Sequence, residues 1–263
     1  MHDPKSIFFQ TELKWPPLEE YAVSEDVVRG LFNKMFEPGG HKYDNLQLQS
    51  DKPTLYKKAR GGQSLCQFGS DSITIEESHE ECYLREFLNT VETVLGGINE
   101  DDIPPFFLQR VKIQCLCQTS ICEDAVELLA GRVSRAYDAI QPFERPPAFF
   151  GVRFRFPPVH LVTPRESSGE PDEAEDEDDI EQAIAEGRIE EKAGFVTLRL
   201  ESYAQDPSQV WMEVAEMYPH FDSPMALADI QKITSNIQKS YDFLTQNSRS
   251  FLDQFDTEGW SAQ

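Results

Sequence analysis

Residues 8–21, FFQTELKWPPLEEY, read as extended, and residues 106–118, FFLQRVKIQCLCQ, alternate apolar and polar positions, the period-two pattern of a strand with one buried face. Pro16–Pro17 confine the first of them to an edge or an entry. Between the two the period lengthens. Ser24 offers an N-cap, Glu25 and Asp26 occupy the first turn, and Val27, Val28, Leu31, Phe32, Met35 and Phe36 recur at helical spacing as far as Gly39–Gly40. Four short strands follow, NLQLQS, PTLYKKA, SLCQFGS and SITIEES, punctuated by Gly61–Gly62 and the GSDS turn. A helix is predicted over about 82–95, with Leu84, Phe87, Leu88, Val91, Val94 and Leu95 on one side and Gly96–Gly97 closing it.

The order then begins again. Ser120 and Glu123 match the S-x-x-E capping box of a helix that turns Val126, Leu129, Val133, Tyr137 and Ile140 inward. FFGVRFRFPP reads as a strand, and FVTLRLESY and QVWMEVAEMY as a hairpin around AQDPS. A long helix is predicted to start near Pro224, with Leu227, Ile230, Ile233, Ile237, Tyr241 and Leu244 buried. In the tail, SFLDQFD, Phe251, Leu252 and Phe255 are expected to fold back on the body.

These patterns predict an α+β fold of two tandem, pseudo-duplicated β-α-β(3-4)-α units forming one curved antiparallel sheet, with helices mainly on one face. The expected divisions are 1–98, a linker at 99–105, a second half at 106–247, and a tail at 248–263. The architecture is that of TATA-binding-protein-like folds, a comparison of shape that implies no shared function.

Composition changes the picture in one respect. The 263 residues hold 47 acidic against 24 basic side chains, a formal net charge of −23. Such a field repels phosphate backbones and anionic membranes, and suits a basic protein partner or an uncharged one. Residues 166–192 alone carry 13 acidic and 2 basic side chains, nearly half of that net charge in a tenth of the chain. The insert at 166–193 is therefore expected to be disordered, with Ile180, Ile184 and Ile189 spaced for a short helix on contact with a partner. No basic leader followed by an apolar run is visible, and no stretch approaches the ~18 apolar residues of a membrane span. Five cysteines, an odd number in a chain this long, fit reduced thiols in a cytoplasm.

Several segments occur in an order that resembles a sporadically distributed family of uncharacterised prokaryotic proteins of about this length. They are QLQSDKPTLYKK, SITIEES with CYLREFLNTVETVL, FFLQRVKIQCLCQ, FVTLRLESYAQDPSQVW, and the final helix with SFLDQF. In that family a QLQ strand precedes a strand with an aromatic, and a helix start of the type W/Y-x-x-F follows, here Tyr83 and Phe87. The family's R-Y-I-N strand corresponds to Arg110-Val111-Lys112-Ile113, which lacks the aromatic and the asparagine, and its F-x-x-x-F tail to Phe251 and Phe255. The resemblance spans roughly 8–256 and implies a pseudo-duplicated fold, an accessory role in a mobile or defence locus, and no established activity.

Candidate chemistry is sparse. Cys115, Cys117 and Cys122 form C-x-C-x4-C, which lacks the second pair of a zinc site. The five histidines are scattered, no Gly-rich phosphate loop precedes a Lys-Ser/Thr pair, and no catalytic set or cofactor is expected. The RFRF segment is the basic feature: Arg153 and Arg155 share the outer face of a strand whose Phe154 and Phe156 face the core. Lys57, Lys58 and Arg60 are expected to join that face from the first half. Asp176, Glu177, Asp178 and Asp179 lie in the acidic segment, which reads as a tolerated surface loop, as a cover for the arginine face, or as a nucleic-acid mimic that docks a basic partner.

The sequence thus points to a non-enzymatic cytoplasmic binding protein acting through protein–protein contacts. The alternatives are an enzyme or small-molecule binder with a pocket between the halves, and nucleic-acid binding across the sheet.

Overall fold

The computed structural model describes residues 1–16, 23–35, 42–48, 52–59, 61–79, 82–136, 147–157, 159–162, 189–193 and 195–258. Its strands are β1 (Lys5–Lys14), β2 (Asn45–Gln47), β3 (Thr54–Ala59), β4 (Gly62–Phe68), β5 (Ser72–Ser78), β6 (Leu108–Gln118), β7 (Gly151–Phe156), β8 (Val159–Val162), β9 (Ile189–Ala193), β10 (Val196–Ser202) and β11 (Gln209–Pro219). Nine of them form one sheet in the order β2-β3-β4-β5-β1-β6-β11-β10-β7, and β8 and β9 form a separate two-stranded ribbon. Every pairing is antiparallel. The chain is therefore α+β, with a large open sheet.

Strict alternation gives this sheet a buried face. Phe9, Thr11 and Leu13 of β1 share it with Gln109, Val111, Ile113, Cys115 and Cys117 of β6 and with Val210, Met212, Val214, Glu216 and Tyr218 of β11. Helices α2 (Leu84–Gly97) and α4 (Ile230–Asp242) lie side by side on it, and α1 (Glu25–Lys34) packs against α2 and β3. Phe9 is fully buried, with its ring stacked on Phe87 of α2 at 5.2 Å and on Tyr241 of α4 at 6.0 Å. Truncating such a ring costs about 3–5 kcal/mol.

The local signals hold where backbone chemistry enforces them. Ser24 Oγ accepts from the Val27 N–H at 3.3 Å and caps α1. The β3–β4 connection passes through Gly61 at φ 76°, and a Cβ on Gly62 would lie 1.6 Å from the Ser78 carbonyl oxygen. Gly61 adopts the left-handed region without strain, and at Gly62 any Cβ would collide with the neighbouring strand.

Three expectations are corrected. The helix after β6 is capped by Asp124, whose Oδ1 accepts from the Val126 N–H at 2.6 Å, and it runs as the π-helical α3 (Glu127–Val133). Ser120 lies too far ahead of this helix to cap it. The last helix starts at Ile230, behind a 3-10 turn at Leu227–Asp229 in which Asp229 accepts the Ala226 N–H, so Pro224 lies outside it. The tail reaches the body as a continuation of α4, through a π-helical stretch, Phe243–Ser248, and a last turn, Arg249–Asp253, and there Leu252 is buried and Phe251 and Phe255 pack against the core as expected. Finally, Ile189–Ala193, inside the expected disordered insert and the expected Ile180–Ile184–Ile189 helix, is β9. Backbone pairing with β8 prolongs the β7–β10 hairpin, and a ladder satisfies N–H and C=O groups whatever the side-chain composition. Tyr137, Ile140 and residues 163–188 lie outside the described residues.

Past α4, Asp256 closes the fold. Its carboxylate accepts the backbone N–H groups of Ser120 (2.6 Å), Ile121 (2.9 Å) and Cys122 (2.8 Å), and it lies 3.1 Å from the Met1 amino group. Burial alone would push this carboxyl up, but the three N–H donors and the amine outweigh it and hold the group at about 2. Because the folded value is depressed, Asp256 contributes stability above the ordinary aspartate range, and that contribution is lost as pH falls from about 4 towards 2. Asp256→Ala, which strands three donors, is expected to lower unfolding free energy by about 2–3 kcal/mol at pH 7. Denaturant melts of both proteins at pH 7 and pH 2.5 should show the gap narrowing at the lower pH.

Candidate functional site

The face of the sheet opposite α2 and α4 carries the charges. Lys112 of β6 reaches Glu213 of β11 at 3.0 Å, and Arg199 of β10 contacts Glu213 at 3.3 Å and Glu201 at 2.6 Å. Arg110 of β6 pairs with Glu12 of β1 at 3.0 Å, and Gln10 donates to Glu76 at 3.1 Å. Aromatic rings lie under several of these cations. Lys112 is 5.5 Å from the Phe8 centroid, Arg199 is 5.1 Å from Trp211, and Arg155 is 4.3 Å from Phe195.

Arg153 and Arg155 stand at the end of this array. Arg153 is the cross-strand partner of Arg199, and Arg155 that of Thr197. Both arginines are exposed, and among the described residues neither has a carboxylate partner. Glu201 and Glu213 are already engaged by Arg199, whose guanidinium they hold above its ordinary value. On the other side of β7, Phe154 packs against Phe251 and Phe156 against Phe243, both at 5.7 Å. The RFRF segment is thus split between faces as the alternation predicts.

The lysines expected to join the arginines do not. Lys58 pairs with Gln63 on the open face, but β3 lies seven strands from β7, about 34 Å along the sheet. Lys57 pairs with Ser64, which is buried on the helix-covered side, so the strand period sends Lys57 to that side. Arg60 and Asp176–Asp179 lie outside the described residues.

Two buried carboxylates were missed by the sequence reading. Glu77 ends the series Ile73, Ile75, Glu77 on the core side of β5, where its carboxylate takes Lys42 and the Thr90 hydroxyl of α2 (2.7 Å), with His79 at 3.7 Å. Glu216 sits between Val214 and Tyr218 on the core side of β11 and accepts from Ser240 Oγ of α4 at 2.7 Å. Burial pushes Glu216 up, against the Ser240 and Tyr218 hydrogen bonds. Nearby, Asn236 donates to Gln109, which donates to Thr11 at 3.2 Å and to the Ile233 carbonyl at 3.1 Å. The signal was available: a Glu in the apolar phase of an alternating strand is buried and needs partners.

The thiols are packing groups. All five cysteines are buried and free, and burial pushes Cys122 and Cys117 up to about 11 and Cys115 to about 12. Among the described residues no group of three or more His, Cys, Asp or Glu could hold a metal ion. A cavity of about 290 Å³ between the start of β1 and the N-terminus of α2 has Lys5, Ser6, Tyr83 and Tyr241 on its walls, at the small end for a ligand site. No helix among the described residues is long and apolar enough to cross a membrane.

Comparison of the chain with family models, curated proteins and solved structures gave no match.

The two carboxylates should respond oppositely to neutralisation. Glu216→Gln keeps an acceptor for Ser240 and removes a charge that burial disfavours, so stability is expected to hold or rise, more at pH 8 than at pH 4. Glu77→Gln leaves Lys42 beside an uncharged group and is expected to lose about 2–3 kcal/mol. Thermal and urea unfolding of the two variants at both pH values decides it.

Proposed function

We propose that this protein is a non-enzymatic cytoplasmic binding protein that engages a protein partner through the β10–β7 end of its open sheet face. One observation carries the reading. On that face Arg110, Lys112 and Arg199 are each paired with carboxylates, whereas Arg153 and Arg155 stand exposed with no carboxylate partner among the described residues, in a chain of net charge −23. Arginine beside an exposed aromatic, here Arg155 over Phe195, is the composition of protein-binding hot spots. A flat face with a few anchors suits a macromolecule better than a small substrate. The resemblance to a prokaryotic family adds the proposal of an accessory role in a mobile or defence locus, and the acidic segment with Asp176–Asp179 offers a second, basic-partner contact.

We read the chain further as a duplicated unit of TATA-binding-protein-like outline. Supporting this, β1 and β6 sit at the centre of the sheet, β5 and β11 flank them, and β4 and β10 come next. Glu77 lies opposite Phe9 of β1 and bonds a hydroxyl of α2, while Glu216 lies opposite Val111 of β6 and bonds a hydroxyl of α4.

The experiment is affinity capture with the full chain from nuclease-treated lysate of its own organism. Arg153→Glu/Arg155→Glu is expected to lose the captured protein at least tenfold, and Lys57→Glu/Lys58→Glu to keep it. Equal capture by wild type and the arginine variant would sink the reading, and capture that vanishes with nuclease would favour the nucleic-acid alternative.

A further inference from the structure

The arginine pair lies on a strand whose other edge is open. β7 pairs with β10 alone, and no other strand among the described residues meets it. The ladder phase tells which of its backbone groups are free. Ser202 N–H donates to the Phe150 carbonyl, and the register makes Val152–Leu200, Phe154–Leu198 and Phe156–Val196 the following pairs of the same kind. In an antiparallel ladder such residues turn both N–H and C=O towards their partner, and the intervening ones turn both away. The groups directed outward therefore belong to Gly151, Arg153 and Arg155, so the residues whose guanidinium groups meet no carboxylate among the described residues also present the ladder that no described strand pairs.

Charge selects the occupant. A second copy of β7 laid against the first would bring arginines opposite arginines, which is unfavourable across strands. A strand with carboxylates at alternate positions would place them beside Arg153 and Arg155 on the open face. Its intervening residues would point to the other side, where Phe156 is 39% exposed. Polyanions without a strand backbone could meet the guanidinium groups but would leave the ladder unpaired.

We propose that β7 is a strand-addition site: an extended partner segment with alternating acidic and apolar residues pairs with the outer edge of Gly151–Arg155 as a tenth strand. This rests on the partner-binding reading above and specifies its mode and its chemistry.

The test uses the full chain and a fluorescent, end-blocked heptapeptide of alternating Glu and Val, read by anisotropy in low salt. Three relatives of the probe accompany it: a Lys-for-Glu version, a version N-methylated on alternate peptide nitrogens, and a single-stranded oligonucleotide. The Glu peptide is expected to bind, at least 30-fold more weakly to Arg153→Glu/Arg155→Glu and at least tenfold more weakly when N-methylated. The charge-reversed protein, checked for folding by circular dichroism, should gain the Lys peptide. Arg153→Gln/Arg155→Gln should bind neither. Hydrogen exchange should slow at the Gly151, Arg153 and Arg155 amides when the Glu peptide is present.

Arginine-dependent binding that ignores N-methylation and leaves those amides unprotected would overturn strand addition while keeping an acidic partner. No arginine-dependent binding of the Glu peptide would remove both, and tighter arginine-dependent binding of the oligonucleotide would replace them. A dimer abolished by the charge reversal would overturn peptide capture in favour of self-association.

Discussion

The pairing of β1 with β6 is the constraint on which the rest of the molecule depends. These strands are far apart in sequence, yet their ladder runs from Lys5–Leu116 to Lys14–Leu108 and makes one sheet of what would otherwise be two. Everything central is built across it. Phe9 stands between rings from α2 and α4, Gln109 of β6 donates to Thr11 of β1, and Asn236 of α4 holds Gln109 in place. A slip of one residue in this register would exchange the two faces, presenting Arg110 and Lys112 to the helices and Val111 and Ile113 to water.

That arrangement sorts the charges by role. Asp256 and Glu77 are buried with donors or a cation around them, and they hold parts of the chain together. Glu201 and Glu12 neutralise cations on the open face, where exposed pairs contribute little to stability, and the buried Glu213 there takes both Lys112 and Arg199. At one edge, Arg153 and Arg155 are left with no carboxylate among the described residues. In a strongly acidic protein a small positive residue of that kind is easy to overlook from net charge, because long-range repulsion and short-range recognition act over different distances.

Much of the fold was legible in the sequence because it rests on period and capping. The alternation in FFLQRVKIQCLCQ predicts β6, Ser24 predicts the start of α1, and RFRF predicts which side the arginines take. What escaped depended on partners distant in sequence. Asp256, one carboxylate in a tail read only for its apolar residues, gains its importance only when the backbone of Ser120–Cys122 arrives. Lys57 and Lys58 look like one basic pair, yet the pleat divides them, and strand order, which local pattern does not encode, sets Lys58 far from β7. Charged β9 was misread because a ladder, rather than side-chain propensity, decides it. Glu77 and Glu216 were readable from phase, but their acidic surroundings hid them.

The contacts of Asp256 and Met1 bear on how the molecule would behave if its backbone were severed. A chain cut between β8 and β9 would leave a fragment ending near Val162 and another beginning near Ile189. The second would keep β10, β11 and α4, and these are fastened to the first by the β7–β10 and β6–β11 ladders, by Phe9 against Tyr241, and by Asp256 on Ser120–Cys122. Neither piece contains a finished sheet or a finished core. The two would travel as a noncovalent pair through a gel filtration column and part only when denatured, held by contacts that do not run through the cut.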